Sequence, residues 1–170
     1  AEAAGRHGLA VATGTVGSVG MAGLSLGGGY GPLSGRLGLA ADNLLAAEVV
    51  LADGRVVRAV PADGVPVGAE RDGAERDGGD PELLWALRGG GGNFGVVTSA
   101  EVALHPVAEV LAGSFTFAWP QAEQVLRRYG ELLEHAPDAL TAVISLVAGP
   151  DGDPMVAVSP TWSGPPADGT

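Results

Sequence analysis

Between Gly14 and Gly31, eight of eighteen residues are glycine and none of the eighteen is charged. In an ordered segment each glycine costs about 0.5–1 kcal/mol relative to alanine, because it has more backbone freedom to lose. A folded chain carries such a run where its backbone turns through conformations closed to other residues, or where another surface must reach its amides. A second cluster, "RGGGGNFG" at 88–95, repeats the pattern. Two clusters in one stretch of chain, each beside a β-rich run, point to two loops closing on one large ligand.

Two other glycine patterns fail on context. The string "GGGNFG" at 90–95 fits G-x-G-x-x-G, but it follows a helical segment and opens a strand, whereas a dinucleotide fingerprint follows a strand and opens a helix. Glycine at every third position, 14, 17, 20 and 23, has the collagen spacing. Four repeats without intervening prolines cannot sustain a triple helix.

Composition narrows the chemistry. With 170 residues and 46% hydrophobic content the chain has material for one packed domain and part of another. Twenty acids against nine bases leave a net charge of −11, a poor match for nucleic acid, whose phosphates need Lys and Arg. All nine bases are Arg and there is no Cys. A Schiff-base lysine, a P-loop lysine, a thiolate nucleophile and a cysteine metal site are therefore excluded within these residues. His7, His105 and His135 are scattered, with no carboxylate at ligand spacing, and no metal site is expected. No apolar run approaches the roughly 18 residues of a membrane span, so no membrane partner is expected. The polar opening "AEAAGRHG" does not read as a signal peptide, which favours the cytoplasm over secretion. It starts mid-helix without Met, and the chain stops in "SGPPADGT"; both ends read as cuts within a longer protein.

Local signals order the elements. Residues 1–7 suit the last turns of a helix closed by Gly8, and "LAVATG" suits a short strand. The connector "PLSGRLGLAADN" is rich in turn residues. Two β-rich runs in "LLAAEVVLADGRVVRAV" flank Asp53-Gly54, a hairpin signal. Residues 61–79, with "AERDG" in tandem at 69–73 and 74–78, read as a solvated insertion. "DPELLWALRG" is a short helix with Asp80 as N-cap, Pro81 in its first position and Gly89 as stop. Trp85 and Phe94 are expected in the core. "VVTSAEVAL" is a strand ended by "HPV". Composition shifts after Pro106. "EVLAGSFTFAW" alternates as a strand, residues 120–135 carry apolar side chains at 125, 126, 129, 132 and 133 as a helical stripe, and two more strands flank residues 151–153. The expected fold class is α+β, with two regions, 1–107 and 108–170.

Several of these blocks, in order and spacing, resemble one family. "GTVGSVGMAGLSLGGGYGPLSGRLGLAADNLLAAEVVLADGRVVRA" followed by "DPELLWALRGGGGNFGVVTSAEVALHPV" is similar to the FAD-binding domain of the berberine bridge enzyme-like oxidoreductases, within the vanillyl-alcohol oxidase and p-cresol methylhydroxylase superfamily. The resemblance covers residues 8–107 apart from the 61–79 insertion. It implies that 1–107 is the second half of a PCMH-type FAD-binding domain and that 108–170 begins an antiparallel-sheet substrate domain.

The resemblance also implies FAD as cofactor, a small-molecule substrate and O2 as electron acceptor. Gly14, Thr15 and Val16 stand where the family's loop runs beside the flavin ring and pyrophosphate. Gly20–Gly23 and Leu26–Gly29 match the segment around the pyrophosphate and ribityl chain, and Tyr30 and Gly31 complete it. Some relatives bond the flavin through a Cys at the position of Val16, which a valine cannot do. Asn43, beside Asp42, matches a pair with either a turn role or a cofactor contact. Val50 matches a strand residue whose backbone holds adenine, and would equally suit a buried strand without one. The family's Arg-Ser-Gly-Gly-His loop, which holds the pyrophosphate and attaches the flavin, has no match in this sequence, and no catalytic residue is identifiable. The expected function is a partial FAD-dependent oxidoreductase. The competing reading is a non-catalytic remnant or binding module whose glycine loops are structure alone.

Overall fold

A computed structural model of the chain describes residues 1–62, 79–107 and 109–169. The tandem "AERDG" repeats lie outside the described residues. The chain divides into two compact units, Ala1–Pro106 and Val107–Thr170.

The first unit is organised by one hairpin. Strand β1 (Leu44–Val50) and strand β2 (Val56–Ala59) pair antiparallel, with Val50 opposite Val56. Gly54 sits in the turn at φ +85°, a conformation that favours glycine, and Asp53 Oδ1 accepts from the Arg55 N–H. Strand β3 (Val96–Val102) pairs with the other side of β1, so the three-stranded sheet runs β2–β1–β3 with β1 central. As the middle strand, β1 buries Leu44, Ala46, Ala47 and Val49.

Helices cover that sheet. Helix α1 (Glu2–Gly5) is a single turn, and Gly8 closes the following turn at φ +67°. The segment expected as a strand at 9–14 is reduced to one antiparallel bridge, with Ala10 and His105 exchanging both backbone hydrogen bonds. The glycine-rich run contains helix α2 (Met21–Leu26), and the following connector contains helix α3 (Ser34–Leu37). Helix α4 (Pro81–Gly90) begins as its punctuation predicts, with Asp80 Oδ1 accepting from the Leu83 N–H at 2.9 Å, a cap contributing about 1 kcal/mol. Its regular turns end at Arg88 and Gly89, the latter at φ +110°, and a 3₁₀ turn, Gly91–Phe94, leads into β3. Leu83, Leu84 and Leu87 point inward and join Leu44, Ala47, Val49 and Ala59 in one core. Trp85, on the opposite side of α4, is exposed, and Phe94 packs only partly, its ring lying against Gly90. Both aromatics thus depart from the expected core placement: position 85 is out of phase with the 83–84–87 stripe.

The second unit is an antiparallel sheet with one helix. Strand β4 (Leu111–Ala112) and strand β5 (Phe115–Ala118) both pair with β7 (Pro154–Trp162), and β6 (Leu140–Ala148) pairs with β7 as well. The expected single strand at 109–119 is split, yet Leu111 faces Trp162 and Phe115 faces Val158, so its register runs unbroken. The break lies opposite Pro160. The Gly113 N–H donates to the Pro160 carbonyl, but proline has no N–H to return. Helix α5 (Ala122–Glu134) follows a 3₁₀ turn, Trp119–Gln121, and anchors through Tyr129, whose hydroxyl donates to the Ala142 carbonyl at 2.9 Å.

Candidate functional site: the glycine loop of the first unit

Residues 14–31 form a loop whose ends meet. Gly31 lies against Thr13 and Gly14 so closely that a Cβ there would collide with the Thr13 carbonyl oxygen. The neck is fastened by the Gly31 N–H donating to Ser34 Oγ at 2.8 Å. Inside the loop, Leu24 is the packing centre: a Cβ on Gly29 would stand 2.7 Å from its Cγ, and one on Gly14 3.2 Å from its Cδ2. A second strand of support comes from residues 40 and 41, whose N–H groups donate to the Gly29 and Gly28 carbonyls, each at 2.8 Å.

The glycines separate into two classes. Gly29, at φ +75°, and Gly31 are demanded by the chain itself, through backbone conformation, packing or both. Gly95 belongs with them, since a Cβ there would stand 2.5 Å from the Val50 carbonyl oxygen. Gly17, Gly20 and Gly23 are different. A Cβ on any of them would meet nothing within 4 Å, and none has a positive φ. Gly23 even lies inside α2, where glycine costs about 1 kcal/mol against alanine. No contact among the described residues requires these three to be small, although Gly20 is also the N-cap of α2, where glycine is favoured over alanine or valine. Gly28 is intermediate: its surroundings are open, but its φ of +100° favours glycine. Gly27 ends α2 with only ordinary contacts to the helix it closes.

Two of the open glycines, Gly17 and Gly20, belong to a continuous exposed rim, Thr15 to Gly20, and Gly23 is exposed in the helix that follows. Along it the N–H groups of Thr15, Val16, Gly17 and Ser18 make no backbone hydrogen bond among the described residues. Val16 and Val19 are both at least half exposed, and Tyr30 is 71% exposed. A rim of unpaired amides, absent side chains and bare apolar groups suits a large, partly flat ligand with hydrogen-bond acceptors.

The other expected contacts sit elsewhere. Leu26 turns into the unit, lining a cavity of about 50 Å³ with Met21, Ser25, Leu44 and Val97. Val50 ends the central strand, paired with Val56 on one side and Val96 on the other. Asn43 is buried, and its amide is spent inside the unit: Nδ2 donates to the Leu37 and Leu39 carbonyls, each at 2.8 Å, and Oδ1 meets His105 Nε2 at 2.6 Å. Within the unit these bonds hold the 37–43 turn. Gly17 was not among the expected contacts, although its signal was the three-residue glycine spacing itself. Among the described residues, no group of three or more His, Asp or Glu side chains could hold a metal ion, and no helix is long and apolar enough to cross a membrane.

Residues 1–59 match the FAD binding domain family. FAD-linked oxidoreductase aurO of Gibberella zeae is 37% identical over 132 residues, which is 77% of this chain and 22% of that protein. The crystal structure of 6-hydroxy-D-nicotine oxidase from Arthrobacter nicotinovorans superposes with a TM-score of 0.77 at 32% identity, covering 98% of this chain and 34% of that one. The structure of BBE-like #28 from Arabidopsis thaliana does so at 0.72 and 29%, covering 94% and 30%. Over part of their length the chain is similar to the berberine bridge enzyme-like FAD-linked oxidoreductases. It spans about a fifth to a third of the length of these relatives.

The family's cofactor is FAD, and the residues present fit part of it. The rim supplies amide donors for phosphate or ring oxygens and apolar surface for a ring; Gly17 and Gly20 on it, with Gly23 in the following helix, are positions where a Cβ would meet none of the described residues within 4 Å. The loop carries no cation of its own, so the charge of a diphosphate would be met by backbone dipoles here.

Proposed function

We propose that this chain forms part of a FAD-dependent oxidase, in which its glycine loop holds the cofactor while a small-molecule substrate gives up a hydride. The substrate class is a C–H bond of an alcohol, a sugar, or a carbon next to nitrogen, and O2 is the final electron acceptor. Bound FAD would supply the redox chemistry. The chain's residues bind and orient: the amides of 15–18 donate hydrogen bonds, Gly17, Gly20 and Gly23 admit close approach, and Val16, Val19 and Tyr30 offer apolar contact. Residues 108–170 are read as the opening of the substrate domain. The observation that carries the reading is the trio Gly17, Gly20 and Gly23, whose smallness no contact among the described residues explains. The competing reading, glycines kept as structure alone, accounts for Gly29, Gly31 and Gly95 but not for these three.

The test is Gly20→Val in the full-length flavoprotein. The expected result is a folded protein, its thermal midpoint lowered only slightly because valine caps α2 less well than glycine, that purifies with little flavin. Normal flavin content in that variant would overturn the assignment of the rim. The 170-residue chain alone, which has no match to the family's pyrophosphate loop, is expected to bind FAD more weakly than micromolar. Flavin fluorescence during titration measures this, and stoichiometric submicromolar binding would count against it.

A further inference from the structure

We propose that Asn43 and His105 form a clamp that positions the Gly28–Gly29 backbone of the cofactor loop; the link to the cofactor rests on the reading above. Three facts carry it. Both Nδ2 protons of Asn43 go to carbonyls, those of Leu37 and Leu39, so the orientation of the amide is set and Oδ1 must be the atom facing His105. An amide oxygen only accepts, so His105 Nε2 carries the proton in this pair. The turn that Asn43 holds, residues 37–43, is the same one whose Ala40 and Ala41 N–H groups grip the Gly29 and Gly28 carbonyls.

The clamp joins distant parts of the first unit. His105 is bridged through its backbone to Ala10, and the Ala103 N–H donates to the Asn43 carbonyl. The end of β3, the start of the chain and the 37–43 turn therefore converge on one side-chain pair. Asp42 reinforces the turn from its exposed side, its Oδ2 accepting from the Leu39 N–H at 2.8 Å. Asn43 and His105 are positioning residues: they shape the support behind the cofactor loop. Because the Asn43 side chain is buried and its donors are used, substituting it removes turn bonds while leaving the exposed rim intact.

The test is amide hydrogen exchange on the full-length protein, flavin-loaded and flavin-free, in Asn43→Ala, His105→Phe and His105→Gln. Asn43→Ala is expected to speed exchange of the Ala40 and Ala41 amides at least about tenfold, as the turn loses its side-chain bonds, with Val49 in β1 unchanged. His105→Phe, which keeps the Ala10 backbone bridge, shows a smaller effect at the same two amides, and His105→Gln, which restores a donor, returns them toward the parent. Nitrogen NMR of the parent is expected to find the proton of the neutral His105 ring on Nε2, and Asn43→Ala is expected to lose that tautomer preference. Flavin is released faster from Asn43→Ala. Equal acceleration at Val49, or no change at Ala40 and Ala41, overturns the clamp. Faster exchange at both amides with unaltered flavin release overturns its coupling to the cofactor, whereas failure of the rim itself is read separately from Gly20→Val.

Discussion

Helix α4 of the first unit and helix α5 of the second obey the same amphipathic logic and reach different degrees of burial. Helix α4 sinks Leu83, Leu84 and Leu87 into a core completed by β1 and β2. Helix α5 has the cleaner apolar stripe, yet only Ala122 on it is buried, and Leu126, Leu132 and Leu133 are each at least 41% exposed. The sheet beside it also exposes Phe115 and Leu146. An open groove of about 350 Å³ remains in the second unit, lined by Phe115, Phe117, Val125, Tyr129, Leu132 and Val158. Amphipathic pattern thus selects a helix and the face it will bury. How much of that face is buried depends on how much other structure is present to meet it.

That contrast can be broken most sharply at the cores. Leu87→Ala in the first unit removes a side chain with no exposed surface and is expected to lower stability by about 2–5 kcal/mol. Leu132→Ala in α5, already half exposed, should cost under about 1 kcal/mol. Urea unfolding of both variants measures the difference, and equal losses would contradict it.

The glycine classes supply the next largest effect. Gly29→Ala places a Cβ against Leu24 at φ +75° and should destabilise the first unit by about 1–3 kcal/mol. Gly23→Ala, in an exposed helical position with nothing within 4 Å, should stabilise by about 0.5–1 kcal/mol while reducing flavin retention in the full-length protein. Thermal midpoints and flavin absorbance, measured on the same samples, separate the two outcomes. A stabilised Gly23→Ala with full flavin content would remove Gly23 from the site.

Surface apolarity distinguishes the units more gently. A hydrophobic dye should bind the chain, and the double variant Leu132→Glu, Leu146→Glu should lower its fluorescence without moving the unfolding midpoint. An unchanged signal would place the dye elsewhere.

The smallest expected effect is at the hairpin. The Arg55 side chain, and after it the Arg55 backbone N–H, hold the exposed Asp53 carboxyl below the ordinary carboxylate value. A depressed carboxyl stabilises the fold fully above the unfolded value of about 3.9 and loses that contribution as pH falls through the folded one. Comparing Asp53→Asn with the parent should therefore show a slight deficit at pH 7 that shrinks toward pH 3 in urea midpoints.

Much of the local structure was legible because its causes are local. Asp53-Gly54 specifies a turn wherever it lies between β-forming runs, and Asp80-Pro81 starts a helix through bonds within four residues. The errors came where a distant partner decides. The run at 9–14 looks like a strand but, among the described residues, finds a single bridging residue, His105. The strand at 111–118 is interrupted by Pro160, about forty-five positions away. In the glycine loop, sequence marked the segment but could not separate glycines filled by Leu24 or Thr13 from those facing open space.

The sequence by itself determined the glycine-rich loop, the hairpin, the capped helix and the resemblance to FAD-linked oxidoreductases, because each is written in residue types at short spacing. Tertiary structure alone decided which glycines are needed by the fold, that Asn43 turns inward to His105, and that Trp85 stays outside. Those outcomes depend on which atoms arrive beside a residue from far along the chain, and a Cβ clash or a satisfied amide exists only once those atoms are in place.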